Sequence, residues 1–182
     1  MNALHKDVAA WWHDHLGHYQ QRADHRALRA RLRRAAGPLA VVGEPAVHDL
    51  VRAQPWLAHR ADVLADIVLA IAHVDRDGRE PLARALGKPP GGDSPVMSPL
   101  RFERLMASSR AELAPQIRRA LAQAENTCNV GALAADLAAW DDPERGEAVR
   151  LRWWFAYYNA RPAQMSETST DHDNALHKEQ AA

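Results

Sequence analysis

Apolar residues along this chain recur three and four positions apart rather than at alternate positions. That is the period of a helix face, not of a strand. The clearest run is 61–75, ADVLADIVLAIAHVD, where Leu64, Ile67, Val68, Ile71 and Val74 share one stripe and predict a core helix. Upstream, helices are predicted at about 4–20 and 23–36, the second stopped by Gly37-Pro38. A short one follows from Pro45 to about Ala53, and Pro55 ends it. In the first helix Trp11, Trp12 and Leu16 point inward. In the second, Leu28 and Leu32 are the buried positions and the arginines between them take the remaining faces.

Downstream, Ser98 at N-cap and Pro99 at N1 start a helix to about Ala107. The next start is contested. Ser109 and Glu112 have capping-box spacing, but that start places Pro115 inside a helix, where it deletes a hydrogen bond. A start nearer Glu112 keeps Pro115 in the first turn and is preferred, with Ile117, Ala120, Leu121 and Ala124 on the buried face. Asn129 caps a helix from Val130, with Leu133, Leu137 and Trp140 on one stripe. Asp142-Pro143 opens the last long helix, to about Ala160. It buries Val149, Trp153, Ala156 and Tyr157 and turns Trp154 and Tyr158 to the opposite side.

The fold expected is all-α: two packed helical lobes, one domain overall, with an extended basic surface. The N-terminal lobe is 1–75 and the C-terminal lobe 98–161. Between them, 76–97 is a connector rich in turn signals, with one or two helical turns in PLARALG. A connector this long is functional or mobile, and it is read as the joint between lobes. Residues 162–182 form a polar tail expected to be disordered. The string NALHK occurs at both 2–6 and 174–178, which is too short to be an architectural repeat.

Composition supports helix, since 36 of 182 residues are alanine. No apolar run reaches the ~20 residues of a membrane span, and the first residues lack a signal-peptide core. One cysteine excludes a disulfide framework. The expected setting is cytoplasmic, without membrane contact. Net charge is zero, from 23 basic and 23 acidic residues, yet 20 of the 23 basic residues are arginine. A GC-rich genome explains that bias, and so does bidentate recognition of phosphate; composition alone favours the genome. The charge is uneven. Residues 22–34 carry a local +5 and 101–119 a local +3, while the tail after Arg161 carries −3.

The motifs of common enzyme sites are missing. There is no phosphate-binding glycine loop, GxSxG, HExxH or CxxC. Cys128 has no histidine near it in sequence. His13, His15 and His18, with Asp14, are read as a polar helix face rather than as a zinc site, which requires three or four convergent ligands. No catalytic residue, metal ligand or cofactor is expected. Trp153 and Tyr157 are read as core rather than as stacking platforms for bases; Trp154 and Tyr158 are placed at a subunit contact. The sharper feature is basic. Arg101 and Arg104 share a helix face, Arg110 sits in the following turn, and Arg118 and Arg119 lie on the exposed side of the next helix. Two antiparallel helices would gather these five on one surface, of the kind that reads backbone phosphates. Nucleic acid and an acidic protein partner of a helical adaptor fit it equally well. A transcription regulator lacks its tight helix-turn-helix, and an enzyme is the least favoured.

A resemblance separates these readings. SPLRFERLMASSRAELAPQIRRALAQAE (98–125) resembles the central signature of the CasB family, the small subunit of the type I-E CRISPR Cascade complex. The likeness continues through NVGALAADLAAW (129–140) and VRLRWWFAYY (149–158), and upstream through PLARALG (81–87) and ALRARLRRA (27–35). It implies an all-α, non-enzymatic subunit present in two copies beside the backbone subunits and the large subunit. It implies contact with guide RNA, target DNA and the displaced DNA strand, with sequence read by base pairing and the protein reading backbone. The family's basic contacts fall on Arg33, Arg34, Arg84, Arg101, Arg110, Arg118 and Arg119; Arg104 is added from helix geometry. The tail and the histidine-rich N-terminus inherit no role.

Overall fold

Small residues set how closely the helices approach. Helix α9 (Val130–Ala139) holds Gly131 and five alanines. A Cβ on Gly131 would overlap the carbonyl oxygen of His5. Glycine there lets α1 (Ala3–Trp12) lie directly on α9, and α5 (Ala61–Ile71) packs on α9 as well. This computed structural model describes residues 3–160; the tail expected at 162–182, with the second NALHK string, lies outside the described residues.

The remaining elements fill in around that contact. A π-helical turn, His13–Gly17, extends α1. Then come α2 (Ala23–Arg34), α3 (Pro38–Val42), α4 (Val47–Ala53) and a 3₁₀ turn at Pro55–His59 before α5. After α5 come β1 (Arg76–Asp77), α6 (Leu82–Leu86), α7 (Pro99–Met106), α8 (Arg110–Gln123) and β2 (Thr127–Cys128). Finally α9 leads to α10 (Gly146–Tyr157). The architecture is all-α, apart from β1 and β2, which pair in parallel with Arg76 opposite Thr127 and Asp77 opposite Cys128.

One apolar cluster runs from Leu4 to Tyr157. Its centre is the predicted stripe of α5 and the turn after it, where Leu64, Ile67, Val68, Ile71 and Val74 are all buried, the helix ending at Ile71 rather than near Asp75. Each such side chain contributes about 1.5–3 kcal/mol. Residues on both sides of 76–97 share this core. The segment 76–97 is itself tied down at several points. Gly78 N–H donates to Cys128 O at 2.9 Å and Asn129 N–H to Glu80 O at 2.8 Å. The Asp77 carboxylate accepts the Val130 N–H at 2.9 Å, and the Tyr157 hydroxyl donates to Met97 O at 2.6 Å. Gly87 lies against the Tyr157 carbonyl, where a Cβ would not fit. No helix among the described residues is long and apolar enough to cross a membrane.

Several predicted boundaries move. α8 begins at Arg110, not near Glu112: the Ser109 N–H and hydroxyl both donate to the Glu112 carboxylate, at 3.2 and 2.8 Å. The capping box prevails because it makes two first-turn bonds, while Pro115 removes a single one, to Ala111 O, at an exposed residue that water can reach. Pro38, read as part of a stop, is the first residue of α3. α4 begins at Val47 rather than Pro45. Asp142 caps a turn, accepting the N–H groups of Glu144 and Arg145 at 3.0 and 2.9 Å, and α10 starts only at Gly146. Asn129 caps α9 as predicted, accepting the Ala132 N–H at 2.7 Å.

Candidate functional site

Helix α8 stands as a ridge with a groove on either side. Leu113, Ile117, Ala120 and Leu121 bury its inner face, which leaves Arg118 and Arg119 exposed, about 100° apart around the axis. Helix α7 buries Phe102, Leu105 and Met106, so Arg101 and Arg104 point outward. The groove between α7 and α8 has a volume of about 490 Å³ and is lined by Arg101, Arg104 and Arg119 with Gln116 and Gln123. The groove between α2 and α8 is smaller, about 190 Å³. Arg33, His73 and Arg118 line it, with Leu69 and Pro115. No carboxylate lines either groove.

The eight arginines singled out in the sequence therefore separate. Five of them, Arg33, Arg101, Arg104, Arg118 and Arg119, flank the α8 ridge. Arg101, Arg104, Arg118 and Arg119 are exposed and have no carboxylate partner among the described residues. Arg34 is likewise exposed and unpaired at the end of α2. Arg84 lies apart, on α6, paired with Glu80 at 2.9 Å beside a pocket that also holds Lys88. Arg110 turns inward. Its guanidinium donates to Asp66 at 2.7 Å, to Asp141 at 2.9 Å and to Leu137 O at 3.2 Å. Burial raises the Asp66 carboxyl above its ordinary value while Arg110 opposes the rise. All three nitrogens of Arg110 donate inside the fold, so the expected five-arginine surface contains four of those five, joined by Arg33.

Arg29 departs furthest from its predicted place. The helical pattern puts it on an outer face, yet it is buried. Its Nε donates to Ala72 O at 2.8 Å, it pairs with Asp75, and it lies over the Tyr19 ring at 3.9 Å. Burial lowers its pKa. Arg33 binds the same corner, donating to Ala72 O at 2.9 Å and reaching Asp75 at 3.3 Å. Asp75 also accepts from Asn126, at 3.1 Å.

Trp153 and Tyr157 take the core positions predicted for them, with the Trp153 indole donating to Asp136 at 2.7 Å. Ala156 is only half-buried. Trp154 is half-buried, edge-on to Phe102 at 4.9 Å, and lies parallel to exposed Tyr158 at 5.8 Å. On the outer face of α10, Leu151, Phe155 and Tyr158 form an exposed stripe at spacings of four and three. Cys128 is buried, and that burial pushes its thiol up to about 12. His15 meets Asp49 at 3.3 Å, and the described residues hold no cluster of three metal-ligating side chains.

Sequence reasoning missed Gln116, Gln123 and His73. The two glutamines had a signal, since 116, 119 and 123 fall on one helical row with Arg119. His73 had none, because it follows an apolar helix and joins the groove only through tertiary packing.

Comparison with known proteins bears on this arrangement. Residues 28–158 match the family described as CRISPR-associated protein Cse2. A CRISPR-associated protein of the Cse2 family from Thermus thermophilus is 27% identical, with a TM-score of 0.60 over 86% of this chain and 98% of its own. A structure described as CasB, also from Thermus thermophilus, is 24% identical, with a TM-score of 0.57 over the same shares, a likeness in fold alone. No curated protein matches the chain. The matched span runs from within α2 through α10 and holds every arginine of both grooves, and on that span the chain belongs to the Cse2 family of CRISPR-associated proteins.

Proposed function

We propose that this chain, as a Cse2-family subunit of the CRISPR Cascade complex, is the non-catalytic small subunit of a type I-E assembly. Its task is to hold the sugar-phosphate backbones of guide RNA, target DNA and displaced strand. The observation that carries this reading is the α8 ridge: four unpaired arginines open onto two grooves that contain no carboxylate. Guanidinium groups left without an internal partner gain from bidentate contact with phosphate oxygens. Glutamines 116 and 123 add neutral donors to the same row. Such contacts position a strand without reading its bases, as expected where base pairing with a guide supplies sequence. A second copy of the chain, the backbone subunits and the large subunit are its proposed protein neighbours. The apolar stripe of Leu151, Phe155 and Tyr158 supports protein contact of this kind.

The mechanism is electrostatic. Each neutralised phosphate releases condensed counterions, so the logarithm of affinity falls with the logarithm of salt by about 0.7 per contact on a single strand. In the assembled complex, Arg101→Ala combined with Arg119→Ala is expected to weaken the R-loop and to reduce that slope by about one to two units. An unchanged slope in a complex that still assembles would reject the surface.

A further inference from the structure

His73 makes no ring hydrogen bond among the described residues, yet it is half-buried in the groove between α2 and α8. Charged groups face it from every side. Arg29 and Arg33 come from α2, Arg118 from α8 and Asp75 from its own segment. Three guanidinium groups thus stand against one carboxylate, and Asp75 is already held by Arg29, Arg33 and Asn126. Arg118 has no carboxylate partner among the described residues. The groove, about 190 Å³, opens to solvent beside these groups.

We propose that this groove is a single-phosphate subsite, in which Arg33 and Arg118 hold a phosphodiester of the nucleic-acid backbone and His73 joins them as a third donor by taking up a proton on binding. The proposal rests on the basic-surface reading above and adds a residue and a proton to it. Burial and the neighbouring arginines push the imidazole down to about 4, so it is neutral near pH 7 when the groove is empty. A phosphodiester is a permanent anion. Set between Arg33 and Arg118, it offsets the repulsion that keeps the ring neutral and offers an acceptor for its N–H. The proton comes from solvent and no covalent bond changes. Binding coupled to proton uptake strengthens as pH falls.

The test is anisotropy of a labelled single-stranded oligothymidylate with the full chain, at pH 7.5 and 5.5 and constant low ionic strength. NMR titration of the His73 ring, with and without oligonucleotide, runs beside it. Wild type is expected to gain about three- to fivefold in affinity at the lower pH, and the His73 midpoint to move upward on binding. His73→Gln, checked by circular dichroism, is expected to lose most of that gain. Arg101→Ala, in the other groove, is expected to bind more weakly at both pH values and keep the ratio. Binding with an equal gain in wild type and His73→Gln, and an unmoved His73 midpoint, would overturn the subsite and leave the basic surface standing. No binding at either pH would remove both.

Discussion

The two grooves flanking α8 look alike in charge and differ in how their arginines are held. On the α7 side, Arg101, Arg104 and Arg119 project from helix faces and touch no carboxylate among the described residues. On the α2 side, Arg33 is bonded to the end of α5, and Arg29 beneath it is buried in the same corner. Guanidinium groups thus serve two ends here. Arg29 and Arg110 cross-link helices through carbonyl and carboxylate acceptors, Arg101, Arg104, Arg118 and Arg119 are left for an outside anion, and Arg33 does both. Removing one of the first kind damages the fold, while removing one of the second alters only binding.

The strongest way to break this distinction is Arg110→Ala. Half-buried Asp66 would lose its closest partner, and a hydrogen-bonded charge left unpaired at such a site costs about 1–3 kcal/mol. Urea unfolding would register it, and a loss under about 1 kcal/mol would show that Arg110 is not structural. The pH dependence of stability comes next. The His73 pKa is about 4 in the folded chain, against roughly 6.5 when unfolded. Between those values the unfolded state binds more protons, so His73 contributes stability that grows as pH rises from about 4 to 6.5 and is flat above. The melting temperature of His73→Gln, compared with wild type at pH 5 and pH 7.5, isolates that part. A smaller effect is expected of Arg33→Ala, about 1 kcal/mol of stability for its carbonyl and carboxylate contacts at a partly exposed site, together with a lower salt slope of binding. Least of all, Arg104→Ala should leave stability within about 0.5 kcal/mol and lower the slope by about 0.7. If Arg33→Ala and Arg104→Ala proved equally harmless to stability, the distinction between the grooves would fall.

What the sequence showed of this follows the range of the forces involved. The α5 stripe, the Asn129 cap and the outward pair Arg101 and Arg104 each depend on residues within two helical turns, and all three are in place. The capping box was visible but was outweighed by Pro115, a penalty that an exposed position lets the helix tolerate. Arg29 and Arg110 were misplaced because their acceptors, Asp75 and Asp66, lie 46 and 44 residues away. A helical wheel marks Arg29 as a surface position and Arg110 was placed in a turn, and only tertiary packing brings the carboxylates that make their inward placement tolerable. The β1–β2 pair was missed for the same reason, since two-residue strands carry no alternation to detect.

The seat of α1 on α9 bears on when the protein can fold. The face of α1 that carries Leu4, Val8, Trp11 and Trp12 is buried on a core that includes Gly131 and the residues after it. During synthesis at ~5–20 residues per second, roughly 6–25 s separate completion of α1 from completion of α9. Through that interval the face of α1 that seats on α9 lacks that partner, although the acceptors of its two indoles, Ala46 O for Trp11 and Ile71 O for Trp12, are made earlier. Contacts spanning so much of the chain also slow the folding search itself. The subunit thus assembles its N-terminal helix late, and a nascent chain of this length is the form most exposed to chaperone capture or aggregation.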